Sequence, residues 1–342
     1  MPEQFQWVPD IDRGEWLRPM EAEPFGSTLS IVPRGFEAYA RIFHPVHRDR
    51  PRDTKTWQGI DEFKYFDGIR DINASLETQQ VTWAQAAASF NTMMHSEAQY
   101  AAILGCEVEN TAGAIAPDGW RYHDTWEGSL DVASLAAAAE VLSAHTATPD
   151  AGVAAIWVGW GGLVSAAGAA YVMIESDDLS AARASTAAGP SIVHALRTRL
   201  AAGMRQAIAG VRSMLRGLPH KQPKPGTGVL SHEAAAGPRF DLHADTGRRY
   251  ILFEAGPDAF ADPTWPSRAP WASGVIGAQS PSILWPDDHA WVLATEIDYD
   301  STLGAGTSEL IQELTQTPGL EALQIRSDAD LSIVGDTLNR PK

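Results

Sequence analysis

Apolar and polar residues follow two different periods along the chain, and each period predicts a different kind of element. A period of two, or a short apolar run, predicts strands over 36–46, 153–160, 249–255, 290–298 and 323–326. In the first of these runs, Tyr39, Arg41 and Phe43 fall on one face and smaller apolar residues fall on the other. We therefore expect both faces of this strand to be at least partly covered.

Three helices are predicted where a capping residue precedes apolar residues at helical spacing. Thr82 and Gln85 have the spacing of a capping box, in which each side chain accepts a hydrogen bond from the backbone N–H of the other residue. The N-caps of the other two helices are expected at Ser129 or Asp131 and at Thr307 or Ser308.

The longest uncharged stretch runs from Ala151 to Ile174, and its 24 residues are enough to cross a bilayer. Gly159, Gly161, Gly162 and Gly168 interrupt it, and the residues that flank it are acidic, with no Lys or Arg anchor nearby. These features argue against a transmembrane span. We expect instead a buried strand over 153–160, followed by a glycine turn.

The order of these elements predicts a mixed α/β protein, with a mostly antiparallel or mixed sheet that helices cover. Residues 1–35 are expected to form an irregular arm that its indoles attach to the body. Residues 36–175 and 231–342 are expected to form one α/β domain, and residues 176–230 a helical insertion.

The net charge of −17 is distributed unevenly. Residues 179–232 carry eight basic residues and no acidic one, so the rest of the chain carries −25. The acidic body argues against general nucleic-acid binding, because phosphate contacts need basic surface. Over 190–216 the basic residues accompany an apolar stripe at helical spacing, and Arg197, Arg205 and Arg212 could contact a protein partner. The alternative is that this helix docks on its own acidic body.

Composition adds one exclusion and one group of candidate residues. A single cysteine rules out an intramolecular disulfide, and no secretory signal is visible near the N-terminus, so we expect a cytoplasmic protein. Twelve tryptophans are unusually many for 342 residues. Indoles can line a ligand groove or pack long loops onto a core. The candidates for ligand or partner contact are Trp157, Trp160, Trp285 and Trp291.

The strongest candidate for catalytic chemistry is a set of carboxylates near the end of the 290–300 strand. Glu296, Asp298 and Asp300 would share one face of an extended strand. Three carboxylates on one edge could hold Mg²⁺ or Ca²⁺, which prefer oxygen ligands, and such an ion could activate water for hydrolysis. The alternative is that these residues bond to nearby backbone groups where the strand becomes a turn.

Three segments resemble a family of bacterial hypothetical proteins. They are 145–161 (HTATP leading to WVGWG), 249–252 (RYIL) and 285–302 (WPDD leading to ATEIDYDST). The resemblance covers most of the chain outside 163–240. Two positions differ from the family pattern, Val158 and His289, where a Glu and an Arg would be expected. The resemblance implies no activity, and an anion site built on those two positions is not expected.

Two function classes follow. The first is a non-enzymatic cytoplasmic protein that binds a partner, and the second is a divalent-metal hydrolase centred on Glu296, Asp298 and Asp300. The sequence has no P-loop, nucleophile elbow or H-E-x-x-H motif. It also lacks a paired acid and base supported by His or Lys, which favours the binding protein.

Overall fold

In the part of the chain that the structure describes, the strands form two antiparallel sheets. A computed structural model describes residues 4–69, 71–106, 113–165, 225–243, 247–272 and 279–339. The larger sheet contains β1 (Trp7–Val8), β2 (Ala38–Phe43), β7 (Gly152–Trp157), β8 (Phe240–Asp241), β9 (Arg249–Glu254), β10 (Ile283–Pro286), β11 (Val292–Ala294), β12 (Ser301–Gly306) and β13 (Ala322–Ile325). The smaller sheet contains β3 (Val46–Pro51), β4 (Leu76–Val81), β5 (Ala114–Ile115) and β6 (Arg121–Tyr122).

Strands that are adjacent in a sheet are often far apart in the sequence. It is β1-β9-β7-β10-β11-β12-β2-β13 in the larger sheet, with β8 beside β9, and β4-β3-β6-β5 in the smaller sheet. The pairing of β12 with β2 runs from Ser301 opposite Phe43 to Gly306 opposite Ala38. A chain of about 260 residues separates these two strands, so this register is set by tertiary packing rather than by a turn.

The expected mixed α/β class with a helix-covered sheet is wrong. All strand pairs found among the described residues are antiparallel, and the structure is rich in sheet. All but one of its described α-helices have fewer than ten residues, the exception being α5: α1 (Glu62–Phe66), α2 (Ile72–Ser75), α3 (Trp83–Phe90), α4 (Tyr100–Ile103), α5 (Val132–Ala144), α6 (His232–Ala236), α7 (Asp258–Ala261) and α8 (Ser308–Gln316). The expectation failed because several segments without an apolar period become strands once a neighbouring strand pairs with them.

Two apolar clusters lie on opposite faces of the larger sheet. Ala154 and Ile156 of β7 belong to one cluster, which also contains side chains of α5 and α8. Val153 and Ala155 belong to the other, which contains side chains from residues 8–32. The alternation along β7 explains the split, because successive side chains of a strand point to opposite faces. Both faces of this strand are buried, as the uncharged stretch predicts.

The N-terminal residues contribute directly to the second cluster. β1 pairs with β9 at the sheet edge, and a 3-10 helix follows over Ile11–Ala22. Leu17 and Met20 of that helix are buried against the sheet.

The smaller sheet is built around β3, a strand rich in charged residues for which no apolar pattern gives a signal. Val46–Pro51 follows the first predicted strand directly and pairs with β4 on one side and β6 on the other. A third apolar cluster packs beside it and includes Phe43 and Trp83. The charged residues here are compatible with a strand because they pair with one another across the sheet.

All three predicted helix starts are present. Thr82 and Gln85 form the complete capping box of α3, Asp131 caps α5 and Thr307 caps α8. The predicted basic helix over 190–216 lies outside the described residues, as does most of the 176–230 insertion. No helix within the described ranges is both long and apolar enough to cross a membrane.

Candidate functional site

Arg248 joins two of the three carboxylates that were candidates for a metal site. Its Nη2 lies 2.7 Å from Asp298 Oδ2, and its Nε donates to Glu296 Oε1 over 3.0 Å. The side chains of Arg248 and Glu296 are largely buried, while that of Asp298 is exposed. Burial raises the pKa of Glu296, although the hydrogen bond from Arg248 opposes this rise. A guanidinium therefore occupies the position that a cation would need.

Asp300 lies apart from this pair, beside Arg41. β11 ends at Ala294 and β12 begins at Ser301, so the three acidic residues lie in the connection between two strands and not along one strand. Arg41 Nη2 is 3.5 Å from Asp300 Oδ1, and burial raises the pKa of Asp300 against the opposing charge of Arg41.

The separation of these residues bears on the predicted Mg²⁺ or Ca²⁺ site. Across the described ranges, no three His, Cys, Asp or Glu side chains are grouped so that they could hold a metal ion. Two acidic residues that precede β11 also have partners in the chain: Asp287 pairs with Arg13, and Asp288 accepts a hydrogen bond from the Ala147 N–H. The metal site therefore stays a prediction, and in this structure the three carboxylates do not converge on one point.

A buried chain of hydrogen bonds crosses the larger sheet from His44. His44 Nδ1 lies 2.5 Å from the Trp126 carbonyl, so Nδ1 must carry the proton and donate it. The neutral Nε2 then accepts from Thr302 Oγ1 at 2.9 Å, and Thr302 Oγ1 in turn accepts from Thr295 Oγ1 at 2.7 Å. Burial lowers the pKa of His44 to about 4. The imidazole is thus held neutral as a structural acceptor.

A second buried polar cluster centres on Asp49 in the smaller sheet. Asp49 Oδ1 accepts from Trp57 Nε1 at 2.8 Å and from Arg121 Nε at 2.9 Å. Its Oδ2 lies 2.7 Å from Arg121 Nη2 and 2.9 Å from His123 Nε2. Burial alone would raise the pKa of Asp49, but the hydrogen bonds from His123 and Arg121 outweigh burial and lower it to about 2.

Neither cluster was predicted from the sequence, and only the Asp49 cluster has a pattern in the sequence that could have indicated it. Asp49 alternates with Arg48 and Arg50, a pattern that places it on the opposite face of any strand. Its partners Arg121 and His123 are more than 70 residues away and become neighbours only when β3 pairs with β6. All donors and acceptors described for Asp49 belong to the chain itself, so the cluster supports the fold and leaves no ligand position.

The candidate tryptophans do not share one groove. Trp291 belongs to the cluster on one face of the larger sheet, and Trp285 belongs to the cluster on the other. Trp157 and Trp160 are half-buried and pack edge to face, with ring centroids 5.5 Å apart. A Cβ at Gly159 would lie 2.1 Å from the Trp157 ring, so this close packing requires a glycine between the two indoles.

A groove of about 600 Å³ lies where β2 begins and β13 ends. Arg34 and Arg326 line the groove and have exposed side chains. Arg34 forms an ion pair with Glu23, and Arg326 forms one with Asp328. Both arginines are therefore neutralised by acids of the same chain, and the lining also includes the carboxylate of Glu37, so the groove offers no free positive charge to an anionic ligand.

Several exposed apolar side chains lie on the C-terminal segment, which follows the groove residues in sequence, or on segments that are hydrogen-bonded to it. Ile333, Val334 and Leu338 are each more than half exposed, as are Phe25 and Met93 in two neighbouring segments. Backbone and side-chain hydrogen bonds connect these segments: Leu331 N–H donates to the Gly26 carbonyl, and the Asn339 side chain pairs with the Met93 backbone. We call Phe25, Met93, Ile333, Val334 and Leu338 the C-terminal apolar patch.

Asp336 fixes this segment to the body. Its buried carboxylate accepts from the Gln99 N–H at 3.1 Å and lies 3.0 Å from His95 Nε2. It also accepts from the Leu338 and Asn339 N–H groups. Burial acts to raise the pKa of Asp336, but its hydrogen bonds from Asn339, Gln99 and His95 lower it overall. The patch is thus displayed on an anchored segment rather than on a loose tail.

The remaining candidates, Arg197, Arg205 and Arg212, lie outside the described residues. Comparison of the chain with protein-family models, with curated proteins and with solved structures finds no match. The functional interpretation therefore depends on the geometry alone.

Proposed function

We propose that this chain is a non-enzymatic cytoplasmic binding protein, which holds a protein partner on the C-terminal apolar patch. The observation that carries the proposal is the exposure of Ile333, Val334 and Leu338 on a segment that Asp336 anchors. Apolar side chains gathered on a soluble surface commonly mark a protein interaction site. An anchored segment also loses little conformational entropy when it binds.

The buried polar groups are consistent with a binding role. Asp49, Glu296 and Asp300 each lie beside an arginine of the same chain, and neutral His44 serves as an internal acceptor. A general acid or base must reach a substrate proton, and these groups are turned toward protein atoms. The single cysteine fits the cytoplasm, since this chain alone cannot form a stabilising disulfide.

The alternative is the divalent-metal hydrolase. No specific observation favours it, because Arg248 occupies Glu296 and Asp298 while Asp300 lies beside Arg41. Calorimetric titration with Mg²⁺, Mn²⁺ and Ca²⁺ tests this function directly. We expect no binding of any of the three ions. Stoichiometric binding that Asp298→Asn abolishes would instead support the metal site that the hydrolase requires.

A matched pair of variants tests the binding proposal. The patch variant carries Ile333→Ser, Val334→Ser and Leu338→Ser, and the control variant carries Phe63→Ser and Ile115→Ser, which change exposed apolar residues elsewhere. Each protein is used to capture partners from its native cytoplasm, with quantitative mass spectrometry as the readout. The proposal expects a partner that the wild type and the control retain and that the patch variant loses. Equal recovery by all three proteins would contradict it.

A further inference from the structure

We propose that the outer edge of β4 pairs with β4 of a second copy of this chain, which joins the two smaller sheets into one continuous sheet. The proposal is independent of the C-terminal apolar patch. It rests on the direction of the backbone groups of β4, on the side chains that flank them and on the register that a twofold axis would impose.

β4 is the longest edge strand of the smaller sheet. It spans six residues, Leu76–Val81, and stands at the end of the order β4-β3-β6-β5. Among the described elements, its close neighbours are β3 and the short helix α2 that leads into it. β5, at the opposite edge, has only two residues.

Hydrogen bonds beside β4 show which backbone groups face outward. Arg52 N–H donates to the Ser75 carbonyl over 2.9 Å, so Ser75 directs its backbone toward β3. Alternate residues of an antiparallel strand do the same, and Glu77 and Gln79 therefore also face β3. The N–H and C=O groups of Thr78 and Gln80 must point away from the sheet. The Leu76 N–H bonds to Asn73, so Leu76 offers its carbonyl.

The side chains of this edge do not hinder pairing. Natural edge strands are usually protected by lysine, proline or a bulge. β4 has no proline or lysine, and its exposed side chains, Thr78 and Gln80, are uncharged. The single charge on the strand, Glu77, is neutralised within its own sheet by Arg50 at 3.0 Å and Lys55 at 3.1 Å.

A twofold axis at Thr78 satisfies the outward groups of both copies. In that antiparallel register Thr78 faces its own copy, and Gln80 faces Leu76 of the second chain. Each Gln80 N–H can donate to the opposite Leu76 carbonyl, and the two Thr78 residues can exchange a reciprocal pair of hydrogen bonds. Glu77 then faces Gln79 and not a second Glu77, so a carboxylate meets an amide and no like charges oppose each other.

The experiment measures the oligomeric state of the full-length chain by analytical ultracentrifugation over a wide range of concentration. The wild type is expected to show a concentration-dependent dimer. Thr78→Lys places two positive charges face to face and should weaken the dimer at least about tenfold. Thr54→Lys, an exposed threonine outside β4, is the matched control and should dimerise like the wild type. Mixing Thr78→Lys with Thr78→Glu should restore a dimer.

Cross-linking tests the register. In a Cys106→Ser background, Thr78→Cys places two thiols at the twofold axis, where facing Cα atoms lie about 5.5 Å apart and a disulfide can form. Thr78→Cys should form a covalent dimer faster than Thr54→Cys. A monomer at every concentration would overturn the proposal, and so would a dimer that Thr78→Lys and Gln80→Lys leave unchanged. Circular dichroism confirms that each variant is folded.

Discussion

Replacing Asp49 with asparagine tests whether the Asp49 cluster stabilises the smaller sheet. The change removes the negative charge that faces Arg121 and puts an N–H₂ group among donors from Trp57, Arg121 and His123. Removing one partner of a buried ion pair costs about 3–5 kcal/mol. Glu62 still pairs with Arg121, so we expect a loss near the lower end, about 3 kcal/mol.

The lowered pKa of Asp49 predicts how this stabilisation depends on pH. Its ordinary value is 3.8 and its folded value is about 2, so ionised Asp49 stabilises the fold above pH 4. This contribution is about 2–3 kcal/mol and is lost as the pH falls from 4 toward 2. In Asp49→Asn that part of the pH dependence should disappear.

Urea unfolding at pH 7, followed by tryptophan fluorescence and circular dichroism, measures the loss. Asp328→Asn is the matched control, because Asp328 forms an exposed ion pair with Arg326 and should contribute less than about 1 kcal/mol. If Asp49→Asn loses no more stability than Asp328→Asn, the cluster does not stabilise the fold as inferred.

Three further predictions concern other parts of the structure. His44 should titrate near pH 4 in NMR spectra of the folded protein. Because the unfolded chain binds this proton near pH 6.5, the free energy of unfolding should decrease by about 3 kcal/mol as the pH falls from 6.5 to 4. A midpoint near 6.5 in the folded protein would contradict the buried, neutral state of His44. Arg248→Met should destabilise the protein by about 2–3 kcal/mol at pH 7 and by less at acidic pH, where the Glu296 carboxyl is protonated because burial raises its pKa; a loss independent of pH would argue against this ion pair. Gly159→Ala should cost about 1–3 kcal/mol and change the near-ultraviolet circular dichroism of the Trp157 contact, whereas an unchanged spectrum would refute the close packing.

Helix starts could be predicted because their signals are local. Thr82, Asp131 and Thr307 each accept from a backbone N–H two or three residues ahead, so the pattern is complete within one turn. Strands with an apolar run, such as Gly152–Trp157 and Arg249–Glu254, could also be located, since burial on both faces leaves a continuous apolar stretch.

The other strands have no local signal. Val46–Pro51 is charged, and Ser301–Gly306 has small residues and lies outside every strand that the sequence predicts. Each becomes a strand because a partner distant in sequence supplies its hydrogen bonds. The same distance explains the candidate site. Glu296 and Asp298 are close together as expected, but Arg248, about 50 residues earlier, binds both.

The most direct test of the binding proposal is hydrogen exchange of the chain with and without its captured partner. Amides over 330–339, together with those next to Phe25 and Met93, should become protected when the partner binds. The amides around Phe63 and Ile115, which are exposed elsewhere, should keep their exchange rates. Protection of other regions, with exchange over 330–339 unchanged, would show that the C-terminal apolar patch is not the binding surface.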